Sequence, residues 1–194
     1  MAGELEDQEV SRLAALVRSA QAGNGHSFGE IIELTQRRLI KFAYLLTGNA
    51  QVAEDLCQEA YIKAFEAISS LHEPERALPW LYRILKNLSI DRFRSAAHRR
   101  EAPTEDIDVV IDPSTKAADR DKILEVRELM GRLDEGDRFL VLAVHLEGHT
   151  YKEAAEMAGL TEDAVRLRLH RARKFLLEIV AQGETKAMPR PSKR

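Results

Sequence analysis

"HTYKEAAEMAGLTEDAVRLRLHRARKFL", residues 149–176, is the stretch whose pattern decides the fold. Thr150 and Glu153 stand at capping-box spacing, Gly159 closes a short helix, and Thr161 can cap a second helix whose first turn carries Glu162 and Asp163. Two short helices joined by a glycine-containing turn describe a helix-turn-helix. At about 3.6 residues per turn, Val165, Leu169, Ala172 and Leu176 share one stripe of the second helix, its core face. Opposite them lie Arg166, Leu167, His170, Arg171 and Lys174. An exposed helix face with such donors is what a DNA major groove requires, for pairing to guanine and for phosphate contact.

The composition agrees with a helical chain throughout. Among 194 residues, 44% are apolar and only 6% aromatic, with 10 glycines and 6 prolines. This suits one or two small all-α domains. No apolar run approaches the roughly 18 residues that a membrane span needs. The amino terminus "MAGELEDQEV" is acidic and lacks a signal-peptide layout. The expectation is a soluble, cytoplasmic chain without membrane insertion. Its one cysteine, Cys57, rules out an internal disulfide and fits a reducing compartment.

A formal net charge of −3 hides strong segregation. From Arg83 to Arg100 there are six Lys or Arg against one acid, and from Arg166 to Lys174 five against none. Between them, Glu101 to Thr115 holds five acids and no base. Two basic helices separated by an acidic stretch offer two sites for an anionic partner, or two solvated faces.

Helices are expected over 9–20, 28–46 and 52–68, followed by the loop "SSLHEPERAL" and a helix that opens at Pro79, where a missing N–H is harmless. "EAPTEDIDVVIDPSTKAADR" has no sustained helical period and reads as a flexible acidic linker. The expected organisation is a helical domain over 9–97, a linker over 98–120, a second helical domain over 121–181 and a disordered basic tail over 182–194.

In "PWLYRILKNLSIDRFR", residues 79–94, Trp80, Leu81, Ile84, Leu85 and Leu88 form the expected buried stripe, with Trp80 at the core margin. Arg83, Asn87 and Arg94 align on one polar edge, and Tyr82, Lys86 and Phe93 on the next. Exposed rings among cations suit single-stranded nucleic acid, whose bases stack on rings while Lys and Arg hold the backbone. The same two rings could instead bury against a neighbouring helix. In the preceding helix Val52, Leu56, Ala60, Ala64 and Ile68 face the core, whereas Asp55, Gln58, Glu59, Ile62 and Glu66 share the outward face. An isoleucine among acids on a solvent face suggests a protein-contact patch.

"AEDLCQEAYIKAF", "WLYRILKNLSIDRFR" and "LEGHTYKEAAEMAGLTEDAVRLRLHRAR" resemble, in order and spacing, the motifs of bacterial extracytoplasmic-function sigma factors of the sigma-70 family. The resemblance covers residues 9 to 180 or so and implies sigma region 2 joined by a linker to region 4. It implies that the helix bearing Asp55, Leu56, Gln58 and Glu59 grips the β′ clamp coiled coil of core RNA polymerase. It further implies that the loop before Trp80 and the following helix melt and read the −10 promoter element, with Asn87 at the base-reading position. Region 4 would read the −35 element and sit on the β flap. A controlling anti-sigma factor is implied too. The chain departs from the family pattern at Glu73 and Ala77 in the loop, and at Leu167, which cannot hydrogen-bond a base but can pack on a thymine methyl.

No nucleophile–base pair or glycine-rich phosphate loop is evident, and no cofactor is expected. His145 and His149 have metal-ligand spacing, but Gly148 ends the helix between them. The chain is therefore expected not to be an enzyme. Two other readings fit parts of the pattern: a stand-alone helix-turn-helix regulator of duplex DNA, and a helical protein-binding adaptor.

Overall fold

The structure is a computed structural model that describes residues 2–96 and 117–182, with side chains over 8–92 and 121–181. Most of the expected linker, the tail beyond Gln182 and the side chains of Phe93 and Arg94 lie outside the described residues. Every element among those described is helical: α1 (Ala2–Gln21), α2 (Gly25–Thr47), α3 (Ala50–Ala67), α4 (Ala77–Ala96), α5 (Ala117–Gly131), α6 (Glu135–Val141), α7 (Tyr151–Ala158) and α8 (Glu162–Gln182). They form two compact units. The first contains α1, α2 to Ala43, α3 from Gln51, and α4; the second contains α5 to α8 with Tyr44–Ala50.

In the first unit α1 buries Leu13, Ala14 and Val17, α2 buries Phe28, Ile31, Leu39 and Phe42, and α3 buries Ala53, Leu56, Ala60 and Ala64. One polar group is taken into this core without loss. The Thr35 hydroxyl donates to the Ile31 carbonyl at 2.7 Å and lies 2.8 Å from the Tyr61 hydroxyl, so both are satisfied. Burial pushes Tyr61 well above the usual phenol range and the Cys57 thiol up to about 12. Neither side chain ionises near neutrality.

Two single 3-10 turns, Ile68–Ser70 and Pro74–Arg76, join α3 to α4. Helix α4 starts at Ala77, two residues before the proline that was expected to open it. Pro79 still falls in the first turn, whose N–H groups have no partner within the helix, so its missing N–H is harmless there.

The second unit follows its caps. The Asp134 carboxylate accepts from the Asp137 N–H at 2.8 Å and starts α6, which runs on into a single wider turn at Leu142–Leu146. Thr150 and Glu153 form the expected capping box, with 2.8 Å from the Thr150 N–H to Glu153 Oε2 and 3.2 Å from the Glu153 N–H to Thr150 Oγ1. Gly159 ends α7 with φ of 67°, a left-handed backbone conformation that favours glycine. The Thr161 hydroxyl caps α8 through the Ala164 N–H at 3.2 Å. Helix α5 begins at Ala117, so residues 117–120 are helical where the sequence suggested linker.

Replacing Thr150 by Ala should destabilise the second unit by about 1 kcal/mol, because the Glu153 N–H loses the hydroxyl that accepts from it and the capping box is broken. Lys152→Ala, in the same turn but exposed, should stay within about 0.5 kcal/mol of wild type. Urea unfolding of both variants gives the comparison, and equal effects would contradict the role of the cap.

Candidate nucleic-acid and polymerase interfaces

Three helix faces carry the residues singled out by the sequence. On α3, Gln58 and Glu59 are exposed, and Ile62 is 60% exposed. Glu59 has Lys63 at 3.9 Å one turn on, a weak solvent-screened pair. Asp55 is only half-exposed, since its carboxylate accepts from Arg92 of α4 at 3.1 Å and from Gln51 at 3.3 Å. Leu56 is 1% exposed. The expectation that it touches polymerase is corrected: it holds α3 in the core, the other role its spacing gave it.

Sequence reasoning missed Phe65 on this face. It is 58% exposed, with its ring edge-on to Phe28 at a centroid distance of 5.0 Å. It stands three residues beyond Ile62, and that spacing was the available signal. Ile62 and Phe65 thus form an apolar pair rimmed by Gln58, Glu59 and Glu66.

On α4 the structure overturns one assignment. Tyr82 is fully buried, its ring packed on Phe42 at 4.6 Å, so it is not an exposed stacking ring. The buried stripe runs through Leu81, Tyr82, Leu85, Leu88 and Ser89, while Trp80 and Ile84 are half-buried. Two effects rotate the helix this way. The phenol ring brings a large apolar area to the core. Ser89 can follow it inward because its hydroxyl donates to the Lys86 carbonyl at 2.7 Å. Arg83 and Asn87 remain exposed, and Lys86 is half-buried.

On α8, three of the four residues of the expected core stripe, Val165, Leu169 and Ala172, are buried and Leu176 is half-buried, whereas Arg166, Leu167, His170, Arg171 and Lys174 are exposed, Leu167 by 59%. Arg166 bonds to Glu162 at 3.1 Å and lies 5.9 Å from the Tyr151 ring centroid, so it is held back along α7. One of the five cations between Arg166 and Lys174 turns inward. Arg168 donates from Nε to Asp137 and from Nη2 to Asp134 at 3.1 Å. It crosses the first turn of α6 at Gly136, where an added Cβ would stand 2.6 Å from the guanidinium. Burial pushes the Asp137 carboxyl up from the usual carboxylate range, against the pull of Arg168.

Among the described residues no group of three or more His, Cys, Asp or Glu could hold a metal ion. No described helix is long and apolar enough to cross a membrane. His145 is exposed, whereas His149 follows the Gly148 turn, with its N–H on the Ala143 carbonyl at 3.1 Å.

The two units, one with an acidic-apolar face beside a cationic helix and the other a helix-turn-helix, define a helical nucleic-acid-binding protein. The Sigma-70 region 2 family matches residues 31–99, and the Sigma-70, region 4 family matches residues 123–176. The chain is 30% identical over 183 residues to the ECF RNA polymerase sigma factor SigM of Mycobacterium tuberculosis, covering 94% of this chain and 90% of that protein. It is 34% identical over 161 residues to the probable RNA polymerase sigma factor RfaY of Xanthomonas campestris, covering 79% of this chain but 40% of that longer protein. In fold it is similar to the sigma factor RpoE in its complex with the anti-sigma factor NepR from Bartonella quintana, with a TM-score of 0.62, 23% identity, and 79% and 96% of the two chains covered. The chain belongs to the sigma-70 family, as a sigma factor of the extracytoplasmic-function type. It is a promoter-specificity factor that joins RNA polymerase and takes part in transcription initiation.

Arg168→Ala should destabilise the second unit by about 3 kcal/mol, because Asp137 is left buried without its cation. Arg171→Ala, on the exposed face, should change stability by less than about 0.5 kcal/mol. Chemical unfolding distinguishes them; a silent Arg168→Ala would mean that the pair contributes nothing.

Proposed function

We propose that the three faces divide the work of promoter recognition. Residues 9–97 act as region 2, 98–120 as an acidic linker, 121–181 as region 4 and 182–194 as a basic tail. The face of α3 bearing Gln58, Glu59 and Ile62, with Asp55 at its edge and Phe65 beside it, docks on the β′ clamp coiled coil. Exposed apolar side chains ringed by acids fit a partner surface that is itself helical and basic. The loop at residues 71–76 and the outward face of α4, with Arg83, Lys86 and Asn87, read and hold the melted −10 strand. Phe93 and Arg94, whose side chains lie outside the described residues, belong to the same proposed −10 contact. Arg166, Leu167, His170, Arg171 and Lys174 address the −35 duplex, and the second unit also meets the β flap.

The single observation that supports this division best is that an acidic-apolar helix face and a cationic helix belong to one unit, tied by Asp55–Arg92 at 3.1 Å. A stand-alone regulator of duplex DNA has no use for that pairing. The catalysis of RNA synthesis belongs to the polymerase, and the sigma factor works in the cytoplasm. The Bartonella quintana relative is bound by an anti-sigma factor, and this chain is controlled in the same general way.

Glu59→Arg combined with Ile62→Ser should reduce binding to core polymerase at least tenfold while leaving the unfolding transition in place, since both side chains are exposed. Normal holoenzyme assembly by the double variant would contradict the clamp assignment. In holoenzyme, Arg171→Ala should relax preference at one −35 base at a cost of about 1–3 kcal/mol, whereas Lys174→Ala should weaken all sequences alike and reduce the salt dependence. A selection on randomised −35 elements reads both, and an unchanged base preference for Arg171→Ala would show that this side chain meets only phosphate.

A further inference from the structure

Helix α1 is joined to the loop that precedes α4 at both ends of that loop. At its entry, Gln21 Nε2 donates to the Ile68 carbonyl at 2.9 Å and to the Leu71 carbonyl at 2.8 Å. These are the carbonyls that begin and end the first 3-10 turn, and the Leu71 N–H also closes on Ile68 at 3.1 Å. The side chains of Ile68 and Leu71 are buried, so the turn is fixed from below by packing and from above by one carboxamide. At its exit, Arg18 pairs with Glu75 in the second 3-10 turn. That turn is closed by the Arg76 N–H on the Glu73 carbonyl at 2.9 Å. His72 and Glu73 are left exposed between the two anchors.

The anchors are unequal. Arg18 and Glu75 are each 55% exposed and form a solvent-screened pair. Gln21 is half-buried and sits one turn beyond Val17, at the end of the apolar stripe through Leu13, Ala14 and Val17. Its amide group is thereby held by the packing of α1, and both its hydrogens are used. No other side chain can replace this geometry without a terminal NH2 at that reach: Glu would set a carboxylate against two carbonyl oxygens, and Met would fill the space with no donor. The region 2 match begins at residue 31, beyond α1.

We infer that Gln21 is a positioning residue for −10 recognition: α1, through the Gln21 carboxamide, sets the shape of the loop at residues 71–76 and so the base preference of the holoenzyme. The inference rests on the reading of that loop as a −10 contact. Loss of two hydrogen bonds should let the turn open and lower discrimination at the −10 base facing the loop about three- to tenfold.

The test uses holoenzyme reconstituted from core polymerase and the full chain, with promoters randomised in the −10 element. Gln21→Met keeps the packing volume and removes the donors, and Gln21→Glu reverses the polarity. Both should form holoenzyme normally and keep the −35 preference while flattening the −10 preference at one position. A purely structural role would instead lower transcription equally from every sequence. Unchanged −10 preference in both variants, or a uniform loss, overturns the inference. His72→Ala and Glu73→Ala run in the same selection separate the two failures. If these shift the −10 preference and the Gln21 variants do not, only the inference falls; if none does, the loop reading falls with it.

Discussion

The contact between the Tyr82 ring and Phe42 is the constraint on which the first unit's surface depends. A helix can bury only one stripe, and the choice of stripe fixes every residue that faces outward. With Tyr82 at the centre, Arg83 and Asn87 are turned to solvent together, and Arg92 is brought to Asp55 of α3. Had Ile84 taken that place, the polar edge would have turned with it. The cationic face is therefore a consequence of apolar packing, with Tyr82 beneath it.

The second unit obeys the same logic through charge. Val165, Leu169 and Ala172 settle which side of α8 is inward. Arg168 adds a polar tie beside them. A guanidinium held by Asp137 and Asp134 across Gly136 locks α8 to the first turn of α6. That lock fixes the rotation of α8 at which Leu167 and Arg171, its neighbours in the helix, stay exposed. Buried pairs of this kind add little net stability, but they are costly to break, and their geometry is specific.

Most of the architecture was legible because it rests on local chemistry. Thr150, Glu153, Gly159 and Thr161 are signals whose partners lie within one turn, and all four act as their spacing demands. Gln58, Glu59, Ile62 and Glu66 on the outward face of α3 were legible from period alone, although Phe65 beside them was not noticed. What escaped was whatever depends on distant partners or on dual-natured side chains. Tyrosine suits a core margin or a surface equally well, so period could not place Tyr82. An arginine within a basic run looks like its neighbours, and the partner of Arg168 lies 31 residues away. Gln21 was invisible for a different reason: its partners are backbone carbonyls, which no residue type announces.

The most direct test of the account is to map transcript starts made by core RNA polymerase with and without the purified protein on fragmented genomic DNA. The account predicts a new set of starts in the presence of the protein, sharing two sequence elements at fixed spacing and lost with the Glu59→Arg, Ile62→Ser variant. Identical starts with and without the protein would contradict it, whatever the affinity of the free chain for DNA.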